Sequence, residues 1–220
     1  LAATPDSVQV DQAIAALLPA LVYRLGGAIA LITGRTIADA DKLFPGADLP
    51  VAGQHGLERR GADGLLHTHG KGPPGFGWLR GELMHLLERP DGLSLQDKGA
   101  TLALHYRAAP GLASYVHRTA RTLVATADAA DAEWRLQPGK GVIEIKPAGR
   151  DKGAAILDYM AETAFAGRLP VFVGDDQTDE FGFAAVALNA DSTAPKHAKV
   201  LSKPIHLRDL VNEVHKMLAA

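Results

Sequence analysis

The stretch Pro170-Val171-Phe172-Val173-Gly174-Asp175-Asp176-Gln177-Thr178-Asp179-Glu180 decides the fold. Its apolar half, extended back to residue 169, reads as a short strand buried on both faces. The acidic half begins where that strand ends. In an open α/β sheet, ligands bind beyond the carboxyl ends of the strands, so this loop occupies a site position. Asp175, Asp176 and Asp179 repel one another unless a cation or hydrogen-bond donors balance them. Mg²⁺ suits that need, being a hard ion satisfied by a few carboxylates, water and phosphate oxygen. A solvated turn leading into a helix N-cap is the competing reading.

Working outward, the same rhythm of strand, loop and helix recurs. Residues 28–32 form a second apolar run, broken by Thr33-Gly34-Arg35. A hydroxyl followed by glycine turns a side-chain oxygen and backbone N–H groups toward a phosphate oxygen, and also makes an ordinary turn. The spacing predicts helices over 13–23, with Pro19 inside, and over 36–44, and a brief strand at 50–52. Lys146-Pro147-Ala148-Gly149-Arg150-Asp151-Lys152-Gly153 opens a further helix over 152–164. Lys152 at its start can balance the carboxylates and hold phosphate as a point charge, or it is a surface lysine. This alternation predicts an α/β fold with a parallel sheet.

The middle of the chain breaks the rhythm. Residues 67–77 are rich in Gly, Pro and His and read as a loop. A helix follows over 78–87. Residues 99–106 alternate, with Leu102, Leu104 and Tyr106 on one face and Thr101, Ala103 and His105 on the other, which predicts a half-buried antiparallel strand. A helix over 113–128 and a second alternating strand over 141–146 complete a small α+β insert. The expected organisation is a core made of 1–91 and 148–220 with a cap inserted at 92–147. The last forty residues carry a weaker strand–helix pattern that closes on an amphipathic helix around 207–218.

Composition bounds the function. The 220 residues carry 23 Lys and Arg against 25 Asp and Glu, a net charge of −2, with 47% hydrophobic residues. Such a chain buries a normal core and has no general attraction for nucleic acid or anionic membrane. With no cysteine, disulfides, thiolate metal sites and a cysteine nucleophile are excluded; a reducing, cytoplasmic setting is permitted and is the expectation. No apolar stretch approaches the roughly 18 residues of a membrane span.

Five segments stand in a telling order: LITGR (31–35), LPVAGQHGLERR (49–60), DKGATLALHYR (97–107), EIKPAGRDKG (144–153) and GRLPVFVGDDQTDEFGF (167–183). Together they resemble the haloacid-dehalogenase-like phosphatases, and within them the trehalose-6-phosphate phosphatase family. The resemblance implies a Rossmann-like parallel-sheet hydrolase core with an inserted α+β cap. It also implies Mg²⁺-dependent hydrolysis of trehalose 6-phosphate, a small-molecule substrate, through an aspartyl phosphate, in which positioning and electrostatics dominate.

Residue roles follow from the resemblance. Thr33 would hydrogen-bond the phosphoryl group, and Lys152 would bind it together with the nucleophile. Asp175 would coordinate Mg²⁺, with Asp176 and Asp179 as direct or indirect partners. Glu144 and Lys146 resemble the family's Glu-x-Lys sugar contacts, and Lys98 and Arg107 fall in a similar segment; a salt-bridged cap sheet is the rival account of all four. His55 and Glu58 match a Gly-x-His-Gly-x-Glu pattern near the substrate entrance, where a packed loop histidine is the alternative. His67-Thr68-His69 has metal-like spacing but no obvious third ligand, which favours solvated loop histidines. Trp78, Trp134, Phe76 and Tyr106 read as packing residues.

The family's Asp-x-Asp-Gly-Thr strand end is not found in the sequence. The opening Leu1-Ala2-Ala3-Thr4-Pro5-Asp6 is similar to the stretch that follows that motif in the family. The expectation is that the nucleophile lies upstream and that these residues alone are inactive. Beyond residue 186 the sequence departs from the family's glycine-rich continuation. Another sugar phosphatase of the superfamily and a non-catalytic sugar-phosphate binder stay open as alternatives.

Overall fold

Leu31 and Val51 face one way and Ile32 and Ala52 the other, and helices cover both sides. β1 (Leu31–Ile32) pairs in parallel with β2 (Val51–Gly53), in the register Leu31↔Val51. β3 (Glu58–Arg60) and β4 (Leu66–Thr68) extend this first sheet antiparallel, in the order β1-β2-β3-β4. On one side Leu31 and Val51 pack with Leu18 and Val22 of α1 (Gln12–Arg24) and with Ile37 and Ala40 of α2 (Ile37–Leu43). On the other, Ile32 and Ala52 meet Ala155 and Tyr159 of α5 (Lys152–Met160). The period-2 alternation of a strand thus builds a three-layer α/β unit. The computed structural model describes residues 8, 10–69, 75–88, 90–128, 133–174 and 176–189.

Helix ends are fixed by local chemistry. The Thr36 hydroxyl accepts from the Asp39 N–H at 3.1 Å and starts α2, and Asp151 accepts from the Ala154 N–H at 2.9 Å and starts α5. Each is an N-cap satisfying a donor that the helix itself leaves unpaired.

The second sheet is wholly antiparallel, in the order β5-β6-β8-β7. Its strands are β5 (Ser94–Asp97), β6 (Leu102–His105), β7 (Trp134–Gly139) and β8 (Val142–Pro147). Leu102, Leu104, Ile143 and Ile145 pack against Leu79, Leu83 and Leu86 of α3 (Phe76–Leu87) and Val116, Ala120 and Val124 of α4 (Ala113–Asp128). Full burial of each of these leucine, isoleucine and valine side chains contributes about 1.5–3 kcal/mol. The sheet and α4 fall within the expected insert of 92–147. Its apolar cluster also draws on α3, which that boundary leaves with the core.

Several expectations change. Residues 169–173 make no ladder pairing among the described residues, and Leu169, Val171 and Val173 are 65%, 39% and 57% exposed. An apolar run becomes a strand only when a neighbour satisfies its backbone groups. The strand expected over 28–32 is reduced to Leu31–Ile32, and the helix expected over 152–164 ends at Met160. The face of β6 expected to meet solvent is covered, with Thr101 and Ala103 buried as fully as the leucines. Part of the segment 67–77 is ordered otherwise than as a loop, since His67 and Thr68 belong to β4 and α3 begins at Phe76. Asp175, residues 1–6 and everything after residue 189, including the helix expected at 207–218, lie outside the described residues.

Candidate active site

The turn after β2 joins the two sheets. Gln54 and His55 both adopt left-handed backbone angles, with φ of 47° and 58°. For residues other than glycine this conformation costs on the order of 1–3 kcal/mol each, and it persists only where surroundings over-determine it. Here the Gln54 N–H donates to the Arg35 carbonyl at 2.8 Å and the His55 N–H to the Thr33 carbonyl at 2.9 Å. The turn is thereby stitched to the Thr33-Gly34-Arg35 loop at the end of β1. The Thr33 hydroxyl accepts from the Arg35 N–H at 3.1 Å, which closes that loop on itself.

The side chains of the turn reach the covered face of the second sheet. His55 Nε2 lies 2.9 Å from Glu144 Oε2 in β8, and Lys98 Nζ donates to Glu144 Oε1 at 2.8 Å. The same ammonium donates to the Gly34 carbonyl at 2.7 Å, so Lys98 spans both sheets. The Thr101 hydroxyl stands 3.1 Å from Glu144 Oε1 and 3.2 Å from Gln54 Oε1. Gln137 of β7 approaches His55 Nε2 at 3.1 Å. Burial alone would raise the Glu144 carboxyl, yet the hydrogen bond from His55 and the charge of Lys98 outweigh it and lower the value to about 2. Glu144 is therefore ionised and acceptor-only. His55 Nδ1, on the far edge of the ring, is buried without a hydrogen-bond partner among the described residues.

A second cluster sits at the start of α5. Buried Lys152 Nζ donates to Asp179 Oδ1 at 2.6 Å, and Asp179 Oδ2 accepts from the Asp176 N–H at 2.8 Å. A cation at a helix N-terminus opposes the helix dipole, and Asp179 compensates it. Gly174 gives the carboxylate room, because a Cβ there would collide with Asp179 Cγ. Lys146 lies between the clusters, buried, donating to the Arg150 carbonyl at 3.2 Å. Burial pulls its ammonium below the usual lysine value, while the charges of Glu144 and Asp151 act in the opposite sense.

Of the residues singled out in the sequence, His55, Lys98 and Glu144 meet directly, and Lys152 and Asp179 form the second pair. Glu58 is placed elsewhere: its Oε1 accepts from the Ile37 N–H at 2.8 Å and closes the first turn of α2. Arg107 is exposed, with Nη2 donating to the Lys140 carbonyl at 3.0 Å. His69 Nε2 lies 3.6 Å from Asp158 Oδ2, and no group of three metal-ligating side chains occurs among the described residues. Gln54, Thr101, Gln137 and Arg150 were not singled out. Arg150 donates from Nε to the Gly56 carbonyl at 3.2 Å and pairs with Asp158, which braces the turn from behind. Nothing in the sequence marks the neutral members of this set.

The donor chemistry at the acidic loop fits Mg²⁺. Both described carboxylates offer hard oxygen, and Lys152 together with the Asp176 N–H orients Asp179 rather than leaving it to collapse onto its neighbours. Asp176 is exposed.

Comparisons with known proteins bear on the family and the fold. Residues 1–206 match the model of the trehalose-phosphatase family. A probable trehalose-phosphate phosphatase of Sinorhizobium fredii is 40% identical over 186 residues, 84% of this chain and 69% of that protein. The trehalose-6-phosphate phosphatase of Escherichia coli K12 is 40% identical over 183 residues, 83% of this chain and 67% of that protein. The C-terminal domain of Candida albicans trehalose-6-phosphate phosphatase superposes with a TM-score of 0.73 at 19% identity, covering 84% of this chain and 68% of that one, and shares the fold. A stretch of 39 residues, 18% of the chain, is 80% identical to the response regulator receiver protein CpdR of Brucella abortus and spans 32% of that protein. With the family match running over 206 positions and two relatives at 40% identity, the chain belongs to the trehalose-phosphatase family.

Proposed function

We propose that this chain forms the substrate and phosphate site of a Mg²⁺-dependent phosphatase that hydrolyses trehalose 6-phosphate to trehalose and phosphate. The observation that carries the reading is Lys98, which bridges the Gly34 carbonyl in the phosphate-side loop to Glu144 in the second sheet. One ammonium thus ties a loop suited to a phosphoryl group to a carboxylate suited to sugar hydroxyls. Thr33 and Lys152 bind the phosphoryl oxygens, the lysine as a fixed charge on the start of α5. Glu144 and Lys146 take the sugar, and the second sheet shields the reacting bond from bulk water. Lys98 and His55 contribute from the seam, and Arg107 from its rim. Asp175 and Asp176 hold the metal, and Asp179 orients Lys152. Mg²⁺, when bound, neutralises phosphate charge.

In the reaction of this family a carboxylate attacks phosphorus, the sugar oxygen leaves with a proton, and water then releases phosphate from the aspartyl phosphate. The attacking residue belongs to an Asp-x-Asp-Gly-Thr motif that these 220 residues do not contain. The proposal therefore assigns binding to this chain and turnover to a form that includes the motif. A sugar-phosphate binder without turnover is the alternative that the following measurements separate from it. Calorimetric titration of the chain with trehalose 6-phosphate, trehalose, sucrose 6-phosphate and glucose 6-phosphate tests the site. Phosphate release with and without Mg²⁺, from a form carrying the motif, tests the chemistry. Preference for another sugar phosphate would overturn the substrate, and absence of release would leave the binder.

A further inference from the structure

Thr101 lies immediately before β6, fully buried at 0% exposure, on the face of the second sheet turned toward the Gln54–His55 turn. Its oxygen stands within hydrogen-bond distance of two acceptor atoms, Glu144 Oε1 at 3.1 Å and Gln54 Oε1 at 3.2 Å. A hydroxyl has one proton to give. The ionised carboxylate can only accept, so that proton goes to Glu144. The Gln54 contact then requires a donor on the glutamine, which places the amide NH₂ toward Thr101; an amide's oxygen and nitrogen are interchangeable in shape, so the hydrogen-bond network decides between them. A directed chain results, from the Gln54 amide to the Thr101 oxygen and from the Thr101 hydroxyl to Glu144. Gln54 is also bonded through its backbone to Arg35 of the phosphate-side loop.

We infer that Thr101 is a positioning residue, whose hydroxyl locks the Glu144 carboxylate to the Gln54 side chain and so sets the sugar-facing group relative to the loop that holds phosphate. It touches no substrate and acts through Glu144. The inference rests on the reading of trehalose 6-phosphate as ligand for its functional consequence, though the hydrogen-bond chain stands independently. The other titratable groups around Glu144 are His55, Lys98, Lys146 and His105, and all are retained in the variants that test it.

Thr101→Val keeps the shape and removes the hydroxyl, whereas Thr101→Ser keeps the hydroxyl. In the 220-residue chain, the Glu144 carboxyl is titrated by ¹³C NMR, and affinity for trehalose 6-phosphate is measured by calorimetry. Thr101→Val should raise the Glu144 value, because a hydrogen bond to the charged form is lost, and weaken trehalose 6-phosphate about tenfold, and Thr101→Ser should restore both. Gln54→Met, which removes the amide donor, should raise the Glu144 value in the same sense and serves if the valine variant fails to fold. An unchanged Glu144 titration in the variant that folds overturns the inference, as does a serine variant that behaves like valine. If the unsubstituted chain binds no trehalose 6-phosphate, the functional reading fails, and the titration alone decides the hydrogen-bond chain.

Discussion

His55 Nε2 and Glu144 Oε2 stand 2.9 Å apart, although one residue follows β2 of the first sheet and the other lies within β8 of the second. The pair is buried, so the contact is made only when the two sheets dock.

The first expectation is acid sensitivity. A carboxyl depressed in the folded state contributes stability that is complete above its ordinary value of 4.5 and is lost as pH falls toward about 2. The contribution is on the order of 3 kcal/mol. Denaturant unfolding between pH 6 and pH 2 should show this decline, and Glu144→Gln should flatten its lower part. An identical pH profile in the two proteins would assign the acid loss to other carboxylates.

Glu144 should also decide the substrate. In a turnover-competent form, Glu144→Ala should lower kcat/KM for trehalose 6-phosphate by about one to three decades, or roughly 1.4–4 kcal/mol of transition-state binding. A small aryl phosphate does not extend to β8, and its hydrolysis should change far less. Equal losses on the two substrates would remove Glu144 from sugar recognition.

Breaking the Lys152–Asp179 pair leaves a buried charge without its partner. Lys152→Met should therefore destabilise the chain by about 3–5 kcal/mol, and Lys152→Met combined with Asp179→Leu by less than the single change. Chemical denaturation of the two variants checks the order, and a double variant less stable than the single one would contradict it.

Metal binding should follow the acidic loop. On the proposed assignment of Asp175 as a metal ligand, Asp175→Asn should abolish Mg²⁺-dependent phosphate release in a turnover-competent form. Calorimetric Mg²⁺ affinity provides the direct measurement. Undiminished release with the same Mg²⁺ dependence would discard the assignment.

Gly34 is held against the His55 ring, where an added Cβ would lie 2.7 Å from Nε2. The ring is fixed by Glu144 and cannot yield freely. Gly34→Ala should cost about 1–3 kcal/mol through overpacking and weaken trehalose 6-phosphate, with thermal unfolding and calorimetry as the readouts.

How much of this was legible in the sequence depends on whether a residue's own chemistry announces its place. The helix expected over 113–128 is α4, which buries Val116, Ala120, Val124 and Ala127, and the alternation of Ile143 and Ile145 is that of β8. β7 was hidden by Pro138, which argues against a central strand but is tolerated at the sheet edge it occupies. The face of Thr101 and Ala103 read as solvated because burial against the other sheet is a tertiary fact with no local signal. The left-handed turn at Gln54 and His55 was likewise invisible, since neither is the glycine or asparagine that usually marks it. The charged partners Lys98, His55 and Glu144 were found through resemblance, whereas Thr101, Gln54 and Gln137 carry no motif.

The seam between the sheets holds a hydrogen-bonded polar set, Lys98, Thr101, Glu144, Gln54 and His55. When such a boundary parts, water replaces each lost partner, and the ions recover hydration that burial had stripped from them. Separating two oily faces would offer no such return. On the proposed function, breathing along this seam costs less than unfolding either half, and would admit a bulky, well-hydrated sugar without dismantling the leucine-filled layer above it.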